Sequence, residues 1–294
     1  MHYTGTIWRP PYEAYSLLLQ VTAGYTHHKC KFCTLYEDLP FKFRLSPIEE
    51  VESDLQEAKS LYNNVPRIFL TGANPFALSF DKLELLANMI KKYYPSCKTI
   101  GCFSRVTDIT PKTLEELKEL QMLGYNGITI GVETGDDMAL SFMNKGYLKE
   151  DILEQCKRLD AVGIEYNLFY LTGISGANRG EFGARETAKV FNQLNPKIID
   201  ASMLTIYSNS ELYKEIQQGN WHEEMEIEKL IELKTLIENL SIDADFATDG
   251  ASNLIQVRGN LAKDKDRMLS VLNHQINNAD ESELRNYRVN LKHL

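Results

Sequence analysis

The chain has 294 residues, 43% hydrophobic and 25% charged, with a formal net charge of -9. That is enough for one large domain with a substantial core, or a domain plus an extension, and the acidic balance, with no long Lys/Arg run, disfavours nucleic acid as a partner. No apolar stretch approaches the roughly 20 residues of a membrane span, and no basic segment leading into an apolar one marks a secretory signal, so the expected setting is the cytoplasm.

AYSLLLQVT (14–22) reads as a buried strand. SPIEEVESDLQEAKSLYN (46–63) reads as a helix, with Ser46 as N-cap, Pro47 at the first helical position and acids in the first turn. RIFLTG (67–72) is a second strand and DKLELLANMIKKYYP (81–95) a second helix. TIGCFS (99–104) is a third strand, followed by TPKTLEELKELQMLG (110–124), a helix closed by Gly124. GITIGVETG (127–135) is a fourth strand with its loop, and the helix over 150–162 ends at Gly163. IEYNLFYLTG (164–173) is a fifth strand, 183–194 a helix, and KIIDASMLTIY (197–207) a sixth strand.

Strands alternating with helices predict βαβ units and a parallel sheet, and continuous apolar strands fit burial on both faces. Six units fall short of an eight-stranded barrel. The expected fold is α/β: a partial, TIM-like (β/α)6 barrel over 1–220, with a mostly helical extension over 221–294 packed on it. The extension includes a short extended piece at NLIQVRG (253–259). Its acidic stretch HEEMEIEKLIELKTLIENL (222–240) is expected to be an amphipathic helix with a solvated face.

In such folds chemistry sits at the carboxyl ends of the strands. The loops there are GYTHHKCKFC (24–33), TGANPF, SRVTD, GVETG, TGISGAN and YSNSEL. The first holds Cys30 and Cys33 in C-x-x-C spacing, beside His27 and His28. Five cysteines are odd in number and sparse for a disulfide framework, so the pair reads as metal-binding or redox-active. A zinc site of His27, Cys30 and Cys33 suits a tetrahedral N/S ligand set, although no fourth ligand is evident nearby. Cys97, Cys102 and Cys156 are expected to be structural, as small buried hydrophobes.

The stretch RPPYEAYSLLLQVTAGYTHHKCKFCTLY (9–36) resembles the radical S-adenosylmethionine (SAM) superfamily. The resemblance spans roughly residues 8–258 and extends to a subgroup whose loop runs C-x4-C-x2-C. It implies a [4Fe-4S] cluster held by Cys30 and Cys33, SAM on the fourth iron, and reductive cleavage to a radical that abstracts hydrogen from a small-molecule or macromolecular substrate. An oxygen-sensitive site and a reductant protein as partner follow from the same resemblance. The third cysteine falls on Tyr25, or on Thr26 in the superfamily's usual C-x3-C spacing, so the thiolate set is incomplete. Iron in such clusters takes thiolates, and a histidine ligand raises the potential against the reaction.

The resemblance also implies SAM contacts at Phe32, at Gly72, Ala73 and Asn74, at Glu133 and at Thr205. It places the glycine motif at LTGISGAN (171–178). Asn74 stands where the family carries an acid, Asp200 and Ser202 stand where basic residues are expected, and Gly250 replaces a histidine in DGASN (249–253). These departures, with the missing thiolate, give an alternative reading: a pseudoenzyme that keeps the barrel as a binding or regulatory scaffold. A third reading is a zinc-stabilised binding protein.

Overall fold

The computed structural model describes residues 1–291. The chain forms two compact units: 1–28, 35–131 and 155–166 make the first, and 29–34, 132–154 and 167 onward the second.

In the first unit the run expected as one strand divides into β1 (Leu17–Gln20) and β2 (Thr22–Gly24). β2 leaves the parallel sheet to pair antiparallel with β3 (Phe43–Leu45). Helix α1 (Ile48–Leu61) starts one residue later than its sequence signal. Pro47 occupies the cap position, and the Ser46 amide donates instead to the Val21 carbonyl at 3.0 Å. β4 (Arg67–Thr71), α2 (Phe80–Tyr93), β5 (Thr99–Ser104), the short α3 (Val106–Ile109) and α4 (Leu114–Leu123) follow. Thr113 and Glu116 cap α4 reciprocally, and Gly124 closes it with φ of +104°, as the sequence predicts. β1, β4, β5 and the start of β6 (Ile128–Glu133) pair in parallel around Leu19, Ile68, Phe69, Leu70 and Ile100. Buried Glu13 takes the Arg67 guanidinium at the amino end of β4, Nε to Oε2 being 2.9 Å.

β6 runs out of the first unit at Gly131. α5 (Asp137–Phe142) follows, then α6 (Lys149–Val162), with Cys156 fully buried. β7 (Tyr166–Thr172) and β8 (Ile198–Met203) pair in parallel, Phe169 beside Asp200 and Leu171 beside Ser202. α7 (Gly180–Phe191) lies between them in sequence, and α8 (Glu211–Gln217) and α9 (Glu226–Asn239) follow β8. β9 (Asp245–Ala247) continues the sheet in parallel with β8, and β10 (Arg258–Asn260) closes against it antiparallel. α10 (Lys265–Asn278) and α11 (Glu281–Val289) end the described chain. The fold is therefore α/β with the six parallel βα repeats of the expected partial barrel: β1, β4, β5, β6, β7 and β8.

Alternation along β7 sorts its side chains into two faces. The Tyr170 hydroxyl donates to Glu232 of α9, so that face is the helix-covered one. Phe169, Leu171, Asp200 and Ser202 share the opposite face.

The expectation of a solvated acidic face on α9 is overturned. Glu226, Lys229 and Glu232 are all fully buried. Glu226 accepts from Lys229 (3.1 Å) and Arg285 (3.1 Å), and from Arg288 at both oxygens. Glu232 accepts from the Gly173 amide (2.7 Å) and lies against Glu224; burial pushes both carboxyls up, and Glu232 raises that of Glu224 further. Besides Lys229, the cations that make the burial of Glu226 possible lie 59 and 62 residues downstream on α11, outside the reach of a local pattern.

Candidate functional site

The loop that carries the cysteines passes from the first unit to the second between His28 and Lys29. Each unit therefore holds its own share of the expected site residues.

In the first unit, the Tyr25 amide donates to the Lys42 carbonyl at 2.7 Å, and His28 Nε2 lies 2.9 Å from the same oxygen. The Tyr25 ring packs edge-on to His27, with centroids 6.3 Å apart, and tilted on His28 at 5.9 Å. Thr26 joins this segment to the loop after β4. There Gly72 has φ of +123°, and a Cβ would stand 1.9 Å from Thr22 Oγ1, so only glycine fits. Ala73 is half-buried and Asn74 wholly buried. Asn74 Nδ2 donates to Thr26 Oγ1 (2.7 Å) and Asp108 Oδ2 (3.0 Å), and its Oδ1 accepts from the Thr26 amide (3.4 Å). Asp108 also accepts from the Arg105 amide at 2.7 Å. Burial pushes its carboxyl up, against these two bonds.

In the second unit the Cys33 amide donates to the Cys30 carbonyl at 3.2 Å, closing a turn with Cys30 buried and Cys33 half-buried. The Lys31 backbone fixes that turn: its amide donates to Met143 and its carbonyl accepts from Leu212. Its ammonium pairs with Glu215 and stacks 4.1 Å above the Phe142 ring. Phe32 packs on a cluster of Met143, Leu171, Ile174, Leu204, Leu212 and Trp221. Glu133, at the end of β6, has φ of +69°. A non-glycine residue pays about 1–2 kcal/mol to stand there. It forms a buried ion pair with Lys145, 3.0 Å away. The Lys145 ammonium also faces the rings of Phe32 (5.7 Å) and Tyr147 (5.4 Å). Burial, with Glu133 and Cys30 nearby, pushes the Tyr147 phenol up. Thr205 Oγ1 accepts from Arg288 of α11 at 3.2 Å. Gly173 and Gly176 both have positive φ, so TGISGAN is a tight turn.

Within units, then, the fold unites Asn74 with Thr26, and Phe32 with Glu133. Sequence reasoning missed Asp108, Lys145 and Arg288, the side chains that hold Asn74, Glu133 and Thr205. Lys145 follows a short helix in an Asn-Lys-Gly turn, where lysine ordinarily faces water; nothing local marks it as buried.

The donor set can be tested against a cluster held by three thiolates. All five cysteines are thiols, but only Cys30 and Cys33 lie in the loop. His28 Nε2 lies within hydrogen-bond distance of a backbone carbonyl. Among the described residues no group of three or more His, Cys, Asp or Glu side chains is placed to hold a metal ion. The residues present do not fit such a cluster, nor a four-ligand zinc site.

The family model described as the radical SAM superfamily matches residues 23–184. The chain belongs to the radical SAM superfamily. It is 23% identical over 212 residues to the heme chaperone HemW of Bacillus subtilis (strain 168), covering 67% of this chain and 53% of that one. It is 28% identical over 163 residues to the tRNA-2-methylthio-N(6)-dimethylallyladenosine synthase of Syntrophus aciditrophicus (strain SB), covering 53% and 34%. The chain thus spans about half the length of the first relative and a third of the second. Among solved structures, the radical S-adenosylmethionine methyltransferase TsrM from Kitasatospora setae superposes with a TM-score of 0.56 at 16% identity, over 69% of this chain and 39% of that one. Methylornithine synthase (PylB) superposes with a TM-score of 0.52 at 12% identity, over 92% and 85%. These likenesses show the fold. No helix among the described residues is long and apolar enough to cross a membrane.

Proposed function

We propose that this chain uses the radical SAM fold to bind a ligand at the carboxyl ends of its strands, without reductive cleavage of SAM. The observation that carries this reading is the donor set: two thiols, Cys30 and Cys33, with Tyr25 at the third position and no third ligand gathered. SAM or a related nucleotide is the ligand class this reading keeps. Phe32 is held beside Lys145 and Glu133 by packing that does not depend on a cluster. The proposed setting is the cytoplasm.

A second reading is supported by the retained turn. Cys30 and Cys33 remain in a hydrogen-bonded C-x-x-C held at both sides by Lys31. In this reading the two thiols and a non-cysteine ligand hold a [4Fe-4S] cluster, and SAM cleavage leads to hydrogen abstraction from a substrate, with a reductant protein as partner.

Anaerobic reconstitution with iron and sulfide separates the two. The first reading expects substoichiometric iron and no 5′-deoxyadenosine after dithionite and SAM. Tyr25→Cys completes the thiolate set and should raise iron content; iron lost again on Cys30→Ala would place it at this loop. A full cluster with 5′-deoxyadenosine from the unmodified chain would sink the first reading and establish the second.

A further inference from the structure

Buried polar side chains in this fold mostly close on one another; Thr22, Thr71, Tyr94, Thr172, Glu224, Asp200 and Asn253 each keep an oxygen that does not, and of these Asp200 and Asn253 lie together along β8 and the turn after β9. Asp200 is 2% exposed, on the face of β7 and β8 away from α9, and its Oδ1 has no hydrogen-bond partner. Asn253 is 8% exposed. Its Nδ2 donates to the Ala201 carbonyl (2.9 Å) and the Gly250 carbonyl (3.2 Å). Both partners are acceptors, so the nitrogen is fixed as the donor end, and Oδ1 is left as a buried acceptor without a partner. A buried group left unmatched in this way is costly, and in a native fold it calls for an explanation.

The neighbours are of the same kind. Asp249 sits at the edge, 22% exposed, in a loose 3.6 Å pair with Arg258. The Ser202 hydroxyl lies two residues along β8 from Asp200, on the same face. A Cβ at position 250 would stand 3.0 Å from Ser202 Oγ, so Gly250 packs closely beside that hydroxyl. Phe169, half-exposed, lies beside Asp200 in the parallel register.

Two carboxyls, an amide oxygen and a hydroxyl therefore lie along β8 and the turn after β9, with no unengaged side-chain donor among them except the hydroxyl. An anion would be repelled. A hard divalent cation wants six or more oxygen ligands, and no group of three acidic, His or Cys side chains gathers here among the described residues. A primary ammonium carries three donors on one point charge, and its alkyl part would suit an aromatic wall.

We propose that this cluster of buried acceptors, beside β8 and after β9, takes a primary ammonium group of the bound ligand, with Asp200, Asp249 and Asn253 accepting and Phe169 flanking its carbon chain. The proposal rests on the reading that the strand ends bind a ligand, and not on the state of the cysteine loop.

Saturation-transfer NMR on the iron-free protein tests it with three probes of one length: n-butylammonium, n-butanol and butyrate. The ammonium should bind and the other two should not. Asp200→Asn should weaken binding on the order of tenfold, and Asp249→Asn by less, as expected for charged partners of unequal burial. Binding should also weaken from about pH 8 to about pH 6 as Asp200 takes up a proton, since burial and then Asp249, against Arg258, bring it to about 7. Near-UV circular dichroism checks each variant's fold; if Asp200→Asn fails to fold, Asp249→Asn and the pH series decide alone. No transfer to butylammonium, equal binding of butanol, or binding unchanged in both variants would overturn the proposal. Because no iron or SAM is present, failure here leaves the reading of Cys30 and Cys33 standing, and failure of that reading leaves this one.

Discussion

Asn74, in the loop after β4, and the pair Asp200 and Asn253, beside β8, use their hydrogen-bonding capacity in opposite ways. After β4, Asn74 is wholly enclosed, and its donors and acceptor all meet Thr26 or Asp108. Beside β8, Asp200 and Asn253 are nearly as buried and each keeps an oxygen without a partner. A fully matched network fixes a loop in one arrangement, whereas a partly matched one carries a cost that a ligand can remove. The resemblance points to Asn74 as a ligand contact, yet its hydrogen bonds join parts of the fold. Asp200 departs from the family's pattern, and its acceptors are the ones left for something else. Burial alone does not distinguish Asn74 from Asp200 and Asn253; the tally of partners does.

The contrast breaks first at the most heavily matched side chain. Arg288 is 3% exposed and donates to both Glu226 oxygens, to the Ser252 carbonyl and to Thr205. Removing one member of a buried pair leaves an uncompensated charge. Arg288→Met should cost about 3–5 kcal/mol in urea unfolding. It should also release Thr205 and raise amide exchange across α11. An unchanged urea midpoint would show that Lys229 and Arg285 suffice for Glu226 and that matching carries little weight here.

Asn74→Ala tests the first-unit knot on a smaller scale. It deletes three hydrogen bonds and leaves the Asp108 carboxylate short of a donor. The expected loss is roughly 2–3 kcal/mol. If Asn74 served only a ligand, the variant would unfold like the unmodified chain and differ in binding alone.

How far the sequence discloses these regions follows from the range of the forces involved. Strand and helix positions are set by near neighbours. TIGCFS coincides with β5, and Gly124 and Gly163 close their helices at positive φ. The C-x-x-C and its missing third cysteine are equally plain, since they are a matter of spacing. Partners of buried charges are another matter. Glu226 meets Arg288 across 62 residues, and Asn74 meets Asp108 across 34. The acidic pattern of 222–240 reads as solvated because, Lys229 apart, the cations that pair with Glu223 and Glu226 lie on a different helix. Lys145 and Asp200 stay hidden for the same reason: the burial of a charged side chain depends on tertiary neighbours that periodicity does not encode.

Asp200→Asn sharpens the comparison from the unmatched side, and its sign is opposite to the other two. Burial first, and Asp249 second, raise the Asp200 carboxyl from 3.8 to about 7 in the folded chain. Between those values the folded protein holds a proton that the unfolded chain has released, so stability falls as pH rises. Below about pH 4 both states are protonated and the penalty vanishes; above about pH 7 it is complete. An asparagine carries no such charge, and its NH2 adds a donor among acceptors. The variant should match the unmodified chain near pH 4 and exceed it by roughly 4 kcal/mol near pH 8. Urea midpoints across that range measure the gap directly. A gap independent of pH would mean that the carboxyl titrates alike in the folded and unfolded states, so that its burial carries no penalty, and a loss of stability at pH 8 would mean that Asp200 is matched after all, like Asn74.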